Sequence, residues 1–268
     1  MKQNYLVIDV ALCHDCNNCF MACKDEYVDN AWLPYTDAQP RHGHRWMNIL
    51  RTERGQYPRI DVAYLPLTCQ HCTDAPCLKA YPDLIKRRED GIILIDPEKA
   101  RGKDLTGCCP LGTIFWNEEA NVSQKCTMCA HIIDEGELGM PRCAHSCPTE
   151  AIKFVKAEPA EMEKQIAADG LEAYRPELDN KPHVYFKNLH RFEKAFVAGG
   201  LLKNNDCVEG VQVTLKGNGV NASQTTDYFG DFKFDALLPG EYALEIAGKE
   251  VRKINLTDSV NLGSIVIG

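Results

Sequence analysis

Thirteen of the 14 cysteines lie between residues 13 and 147, and only Cys207 lies outside that segment. Cysteines at such density serve as disulfide partners, zinc ligands or iron–sulfur ligands. Disulfide frameworks belong to secreted chains, and the first residues contain no long apolar run of the kind found in export signals. Zinc and iron–sulfur chemistry remain, and the spacing of the cysteines distinguishes between them.

The first group of cysteines has the spacing Cys13-x2-Cys16-x2-Cys19-x3-Cys23, which is that of bacterial ferredoxins. Three thiolates at intervals of three residues wrap three corners of an iron–sulfur cube, and the fourth ligates the other cluster of a pair. Zinc sites require only pairs of cysteines, so this run predicts 4Fe–4S clusters. Lys24 stands where the ferredoxin pattern usually has proline, so the match is not complete.

The remaining cysteines of the segment form two more triplets and further single ligands. A 4Fe–4S cluster takes four thiolates, so three triplets and three remote singles predict three clusters with twelve ligands. Each triplet of a ferredoxin pair takes its fourth ligand from the other motif. This rule predicts a first set of Cys13, Cys16, Cys19 and Cys147, a second set of Cys23, Cys126, Cys129 and Cys143, and a third set of Cys69, Cys72, Cys77 and Cys109.

Two losses in the motifs support a count of three clusters rather than four. Tyr81-Pro82 stands where a Cys-Pro ending is expected, and no triplet precedes Cys109. A fourth cluster would need both the missing triplet before Cys109 and, as its remote ligand, the cysteine that Tyr81 replaces. Both losses therefore concern the same hypothetical cluster. The third set is open to Cys108 or Cys109, and we prefer Cys109 because a proline follows it directly, as in Cys147-Pro148.

Histidines near these motifs are alternative ligands of a Rieske-like centre, which needs two cysteines and two histidines. Full cysteine sets are present, so we expect the histidines to contact the surroundings of a cluster or solvent. They are His14, His71, His131 and His145. The remaining Cys207 is expected to be an ordinary buried thiol.

Four segments of the chain carry a family resemblance: residues 16–21, 43–49, 90–100 and 124–131. With the three-cluster pattern they resemble the iron–sulfur subunits of molybdopterin oxidoreductases of the dimethyl-sulfoxide-reductase type. Within that family they are similar to the small subunits of pyrogallol–phloroglucinol transhydroxylases and related anaerobic aromatic hydroxylases. The resemblance covers essentially the whole chain.

The resemblance implies an electron-transfer subunit with three 4Fe–4S clusters and no catalytic residues of its own. It implies a large catalytic partner, in a heterodimer or higher assembly, that holds molybdenum on bis-molybdopterin guanine dinucleotide and acts on polyhydroxylated aromatics. A soluble electron carrier is a further candidate partner. The alternative is a free-standing polyferredoxin with a protein-binding tail.

Residues 148–196 connect the cysteine-rich part of the chain to a C-terminal part whose sequence pattern differs from about residue 197. Residues 159–168 predict a short helix, with Pro159 at its start and Gly170 beyond its end. Residues 183–186 predict a strand.

The C-terminal residues alternate between apolar and polar side chains at 211–215, 231–234 and 242–246, with glycine-rich turns between them. They resemble a prealbumin or Cna-B-like sandwich. We therefore predict an α+β chain. A ferredoxin-like multi-cluster iron–sulfur domain spans residues 1–196, including a connector at 148–196, and a small all-β sandwich spans residues 197–268.

Charge and hydropathy exclude other classes of function. The formal net charge is −8, which disfavours nucleic-acid binding because such binding depends on cations at phosphates. No apolar run approaches the roughly 20 residues that a membrane-spanning helix needs. With no export signal visible, the sequence predicts a cytoplasmic location.

Overall fold

A computed structural model describes residues 1–268 as two compact units. The first unit consists of residues 1–50 and 64–189, and the second of residues 51–63 and 190–268. Strands outnumber helices, so the chain is of mixed α/β type.

The first unit begins and ends on strands of one small sheet. Two short 3-10 helices lie at Thr106–Cys108 and Pro176–Leu178. The strands β2 and β3 continue into the second unit. The elements are β1 (Gln3–Asp9), α1 (Asn18–Tyr27), β2 (Met47–Gln56), β3 (Arg59–Thr68), α2 (Pro76–Ala80), β4 (Ile85–Arg87), β5 (Ile93–Ile95), β6 (Phe115–Asn117), β7 (Val122–Gln124), α3 (Ala130–Glu135), α4 (Arg142–His145), β8 (Ile152–Ala157), α5 (Pro159–Asp169) and β9 (Val184–Lys187).

The sheet of the first unit has the order β8-β1-β9, with β8 antiparallel and β9 parallel to the central strand. The pairs β2-β3, β4-β5 and β6-β7 each form a two-stranded sheet. Gly91, between β4 and β5, has a φ of +86°, and a Cβ there would lie 2.2 Å from the His183 ring. That ring stacks on Tyr5 of β1 at 4.7 Å. Only glycine therefore fits this turn.

The helix predicted at residues 159–168 is confirmed as α5. Pro159 occupies its first turn, and a capping box joins Glu158 to Glu161. The helix ends at Gly170, whose φ is +61°. The predicted strand at 183–186 is found as β9, which begins one residue later.

The second unit contains two four-stranded sheets. One has the order β11-β10-β14, with β17 also paired to β10, and the other has the order β13-β12-β15-β16. The predicted alternating segments lie in β12, β14 and β15. The elements are α6 (His190–Glu193), β10 (Ala195–Lys203), β11 (Asp206–Cys207), β12 (Gln212–Gly217), β13 (Val220–Thr225), β14 (Asp231–Leu237), β15 (Gly240–Ile246), β16 (Lys249–Leu256) and β17 (Val260–Val266).

The two sheets of the second unit share one apolar core. Alternate residues of each strand point to the same face because the side-chain period of a strand is two. Val213 and Leu215 of β12 are buried in this way, as are Phe232 and Phe234 of β14. Burial of these side chains stabilises the pairing of the two sheets.

A buried ion network lies at one end of the second unit. The guanidinium of Arg54 is only 5% exposed and contacts Asp61 at 2.6 Å and Asp235 at 2.8 Å. Lys233 contacts both carboxylates at 3.0 Å. Burial alone would raise the pKa of Asp61, but hydrogen bonds from Lys233 and Arg54 hold it well below its usual range.

Replacing Arg54 by methionine is expected to destabilise the second unit by about 3 kcal/mol, because it removes the most buried cation of the network and leaves Lys233 to face two partly buried carboxylates. The measurement is hydrogen exchange of the β14 amides in the full chain. Arg59→Met is the matched control, since its 2.9 Å pair with Asp231 is largely solvated and should cost less than about 1 kcal/mol. Equal loss of protection in the two variants would contradict the expectation.

Candidate iron–sulfur centres

The first predicted set gathers around the start of α1. Cys13 and Cys16 lie in the loop after β1, Cys19 lies in the first turn of α1, and Cys147 follows α4. Electrostatic interactions link Cys13 to Cys16 and Cys147, and Cys19 to all three others. Cys16 is exposed, so this set reaches the surface of the unit.

The second predicted set lies deeper. Cys23 is on α1, Cys126 and Cys129 lie between β7 and α3, and Cys143 is on α4. Cys23 interacts electrostatically with Cys126 and Cys129, and Cys143 interacts with all three. Cys129 and Cys143 are buried. The chain thus brings together cysteines that are up to 120 positions apart (143 − 23).

The third predicted set surrounds a cavity. Cys69 directly follows β3, Cys77 lies in α2, and Cys109 follows the 3-10 helix at 106–108. All of these thiols, with Cys72, line one cavity. Cys72 interacts electrostatically with each of the other three members.

Cys108 and Cys109 differ in their surroundings. The Cys108 thiol donates a hydrogen bond to the Leu105 carbonyl at 2.9 Å. Cys109 lines the cavity, and its sulfur lies 3.3 Å from the Thr113 hydroxyl. Both cysteines pack, like Tyr81, against the same apolar cluster of side chains, so the hydrogen bond and the cavity are what distinguish them. Apolar side chains therefore surround the two places where the motifs lack cysteines, at Tyr81 and before Cys109.

The first C-x2-C loop of each triplet, at residues 13–16, 69–72 and 126–129, has the same backbone conformation. The residue before the second cysteine has a left-handed φ in each loop: 55° at Asp15, 47° at His71 and 53° at Met128. Non-glycine residues rarely adopt this region. In each loop the amide of that same residue forms a hydrogen bond to the first cysteine, at 3.3 Å for Met128. Amides aimed at sulfur are one of the features that set the potential of an iron–sulfur cluster.

The second set neighbours both of the other two. Cys143 of the second set interacts electrostatically with Cys19 of the first. Cys69 of the third set interacts with Cys126 of the second. Neighbouring cysteines thus connect the first set to the second and the second to the third.

The donor groups fit iron–sulfur clusters chemically. Burial raises the pKa of Cys19, Cys72 and Cys129 to about 12 and that of Cys77 to about 11. A thiolate at such a position needs a positive charge beside it, which bound iron supplies.

No three His, Cys, Asp or Glu side chains are close enough to hold a single metal ion. One zinc ion places its sulfurs about 4 Å apart. A four-iron cube binds each cysteine at a different corner and so accommodates wider separations.

The four histidines lie either inside the protein or at its surface. His71 is fully buried, and its Nδ1 accepts a hydrogen bond from the Ile93 amide at 3.0 Å. His131 is 2.9 Å from Glu26 and stacks on Trp32 at 4.3 Å. The other two, His14 and His145, are exposed. These positions agree with the expected contacts to cluster surroundings or solvent.

Cys207 is exposed, so the prediction of a buried thiol was wrong. It lies in the two-residue strand β11, which pairs only with β10 at the edge of its sheet.

The sequence argument did not single out Lys125. Its side chain is only 3% exposed, and it lines the cavity of the third set. Its position directly before Cys126, within the family-like segment 124–131, is the sequence feature that could have pointed to it.

Comparison with known proteins identifies the class. Residues 60–157 match the 4Fe-4S dicluster domain. The chain is 31% identical over 200 residues to a sulfite dehydrogenase subunit of Allochromatium vinosum, covering 69% of this chain and 83% of that protein. The chain belongs to the family of iron–sulfur electron-transfer subunits of molybdopterin oxidoreductases.

Within that family one relative matches throughout. The chain is 53% identical over 273 residues to the small subunit of pyrogallol hydroxytransferase from Pelobacter acidigallici, covering 99% of both chains. Among solved structures, BcpA, the major pilin subunit of Bacillus cereus, matches 27% of this chain at 15% identity, over 29% of its own length and with a TM-score of 0.24. That score is too low to assign a fold. No helix of the chain has both the length and the apolar character needed to cross a bilayer.

Proposed function

We propose that this subunit holds three 4Fe–4S clusters, one in each cysteine set. The observation that carries the proposal is the grouping of twelve cysteines into three neighbourhoods of four, with the second next to both of the others. Each bound cluster takes up and releases one electron, at a potential set by hydrogen bonds, charge and solvent exposure. The protein supplies the thiolates, the loop amides and the apolar surroundings.

The fourth ligand of the third set is proposed to be Cys109. Its support is the cavity that it lines with Cys69, Cys72 and Cys77, together with the engagement of the Cys108 thiol by the Leu105 carbonyl.

The first set is proposed to face the catalytic partner. Cys16 is exposed, and the apolar side chains of Leu12 and Met21 close to it in sequence are 41% and 58% exposed. An apolar surface next to a redox centre favours a dry contact with another subunit, through which electrons cross. Electrons would then pass from the first set through the second to the third.

The partner is proposed to be a large subunit with molybdenum on bis-molybdopterin guanine dinucleotide, acting on polyhydroxylated aromatics. The support is the 53% identity to a pyrogallol hydroxytransferase small subunit. The complex is proposed to be a heterodimer or a multiple of it, with a soluble electron carrier as a further partner. No catalytic residue is assigned to this chain.

The remaining assignments concern organisation and location. Residues 1–196 are proposed as the electron-transfer domain, of which residues 51–63 and 190–196 fold with the second unit. Residues 197–268 are proposed as a prealbumin or Cna-B-like packing module, supported by the shared core of the two C-terminal sheets. A cytoplasmic location is proposed.

The test is anaerobic purification of the tagged full chain from its native host, followed by metal and subunit analysis. We expect a stable complex with one molybdenum-containing large subunit per chain. Adding a polyhydroxylated aromatic substrate to that complex should change the electron paramagnetic resonance signals of its clusters. A stable monomer with clusters and no molybdenum partner would contradict the proposal and favour a free-standing polyferredoxin.

A further inference from the structure

Lys125 is a buried cation between the second and third cysteine sets. Its ammonium donates hydrogen bonds to the carbonyl oxygens of Ile93 and Cys126, the latter at 3.1 Å. Neither partner is a carboxylate, so no acidic hydrogen-bond partner neutralises this charge within the protein. A buried ammonium without an acidic partner is costly, and a negatively charged neighbour would offset that cost.

The thiolates of the third set are such neighbours. Lys125 lines the same cavity as Cys69, Cys72, Cys77 and Cys109. Only 3% of Lys125 is exposed, so little solvent screens its charge from these sulfurs. A second cation, the half-buried Arg87, interacts electrostatically with Cys72. The third set therefore has two cations among its neighbours.

The other two sets have a different charge environment. The first set has the acidic Asp15 near Cys13, and Arg45 donates to the Asn17 side chain, between Cys16 and Cys19, at 3.1 Å. The second set has Lys24 near Cys23, but also the acidic Glu26 near Cys129. Each of these two sets thus has charges of both signs nearby, whereas Lys125 lines the cavity of the third set.

Positive charge in a buried environment favours the state that carries the extra electron, and it acts more strongly there than in water. We propose that Lys125 raises the reduction potential of the third cluster above those of the other two, so that this cluster is the electron reservoir of the subunit. The inference rests on the proposed three-cluster function. In the transfer, one electron leaves the first cluster, which is oxidised, and the third cluster gains it and is reduced. No proton or further reactant is needed.

The experiment is a redox titration of the anaerobically purified full chain with its bound partner, followed by electron paramagnetic resonance. The signal of the third cluster is first identified as the one that Cys109→Ser removes. We expect that signal to have the highest midpoint potential of the three in the unmodified protein. In Lys125→Met, the ratio of reduced to oxidised third cluster at a fixed ambient potential should fall at least tenfold, which is about 59 mV for a one-electron couple.

Lys125→Arg keeps the charge and should keep the potential of the third cluster close to the unmodified value. Lys24→Met is the matched control, because Lys24 is also buried, at 9% exposure, but donates to the Pro40 carbonyl at 2.8 Å beside the second set. It should leave the potential of the third cluster unchanged. A Lys125→Met protein with full iron content and an unshifted third signal would overturn the inference.

If Lys125→Met loses iron, two other measurements test the inference. Arg87→Gln should lower the potential of the same signal, and the order of potentials in the unmodified protein is independent of any lysine variant. A third cluster with a potential below that of the first would overturn the inference. The proposed function fails in a different way, through an iron content other than about twelve per chain or the absence of a signal sensitive to Cys109→Ser.

Discussion

Replacing Cys109 by serine is expected to lower the iron content of the chain from about twelve to about eight, while Cys108→Ser leaves it at about twelve. The two cysteines are adjacent in sequence, so the pair of variants is closely matched. Cys109 lines the cavity of the third set, whereas the Cys108 thiol donates to Leu105 at 2.9 Å. Loss of Cys109 removes one of the four protein ligands that hold the third cluster.

The measurement is iron per chain after anaerobic purification, with electron paramagnetic resonance of the reduced protein. Cys109→Ser should lose one signal and keep two. Loss of the signal in Cys108→Ser with retention in Cys109→Ser would reverse the ligand assignment. Retention in both variants would show that the third cluster does not depend on this segment.

Replacing Cys147 by serine is expected to remove the first cluster, although this cysteine is only four positions from Cys143 of the second set. The physical reason is that the chain after α4 places Cys147 next to the first set and not the second. Both Cys13 and Cys19 have Cys147 among their electrostatic neighbours. Since the first set is proposed to face the partner, its loss should also isolate the remaining two clusters from electrons supplied by the catalytic subunit.

In crossed ligation each triplet takes its fourth cysteine from the other motif, and the resonance signal that each variant loses tests this. Cys147→Ser should lose the same signal as Cys16→Ser, and Cys126→Ser should lose a different one. In the complex, substrate should no longer reduce the second and third clusters of Cys147→Ser, while a small chemical reductant still does. Cys207→Ser is the control, because that thiol is exposed and lies in the second unit. A shared loss for Cys147→Ser and Cys126→Ser would contradict the crossed assignment.

Cysteine spacing carried most of the information on the site. A ferredoxin run predicts the local ligands of a cluster from their spacing. The rule that each triplet takes its fourth ligand from the other motif then predicts the remote ligands Cys147 and Cys23, which lie 124 positions apart (147 − 23). The alternating strands of the second unit could also be predicted from the sequence, because their side chains repeat with a period of two. Helix α5 was predicted from Pro159 and Gly170, residues whose backbone preferences act within one turn.

Features that depend on contacts distant in sequence were not predictable. The inclusion of residues 51–63 in the second unit depends on pairings such as Arg54 with Asp235, 181 positions away. The burial of Lys125 depends on Ile93, 32 positions away. Cys207 was predicted to be buried from the general behaviour of free cysteine, but the edge position of β11 decides its exposure.

The most direct test of the central claim is the metal content of the full chain purified without oxygen. Three clusters with four irons each predict about twelve irons and about twelve acid-labile sulfides per chain. Zinc should be absent in stoichiometric amounts. About eight or about sixteen irons per chain, or one or more zinc ions in place of iron, would contradict the assignment of three 4Fe–4S clusters.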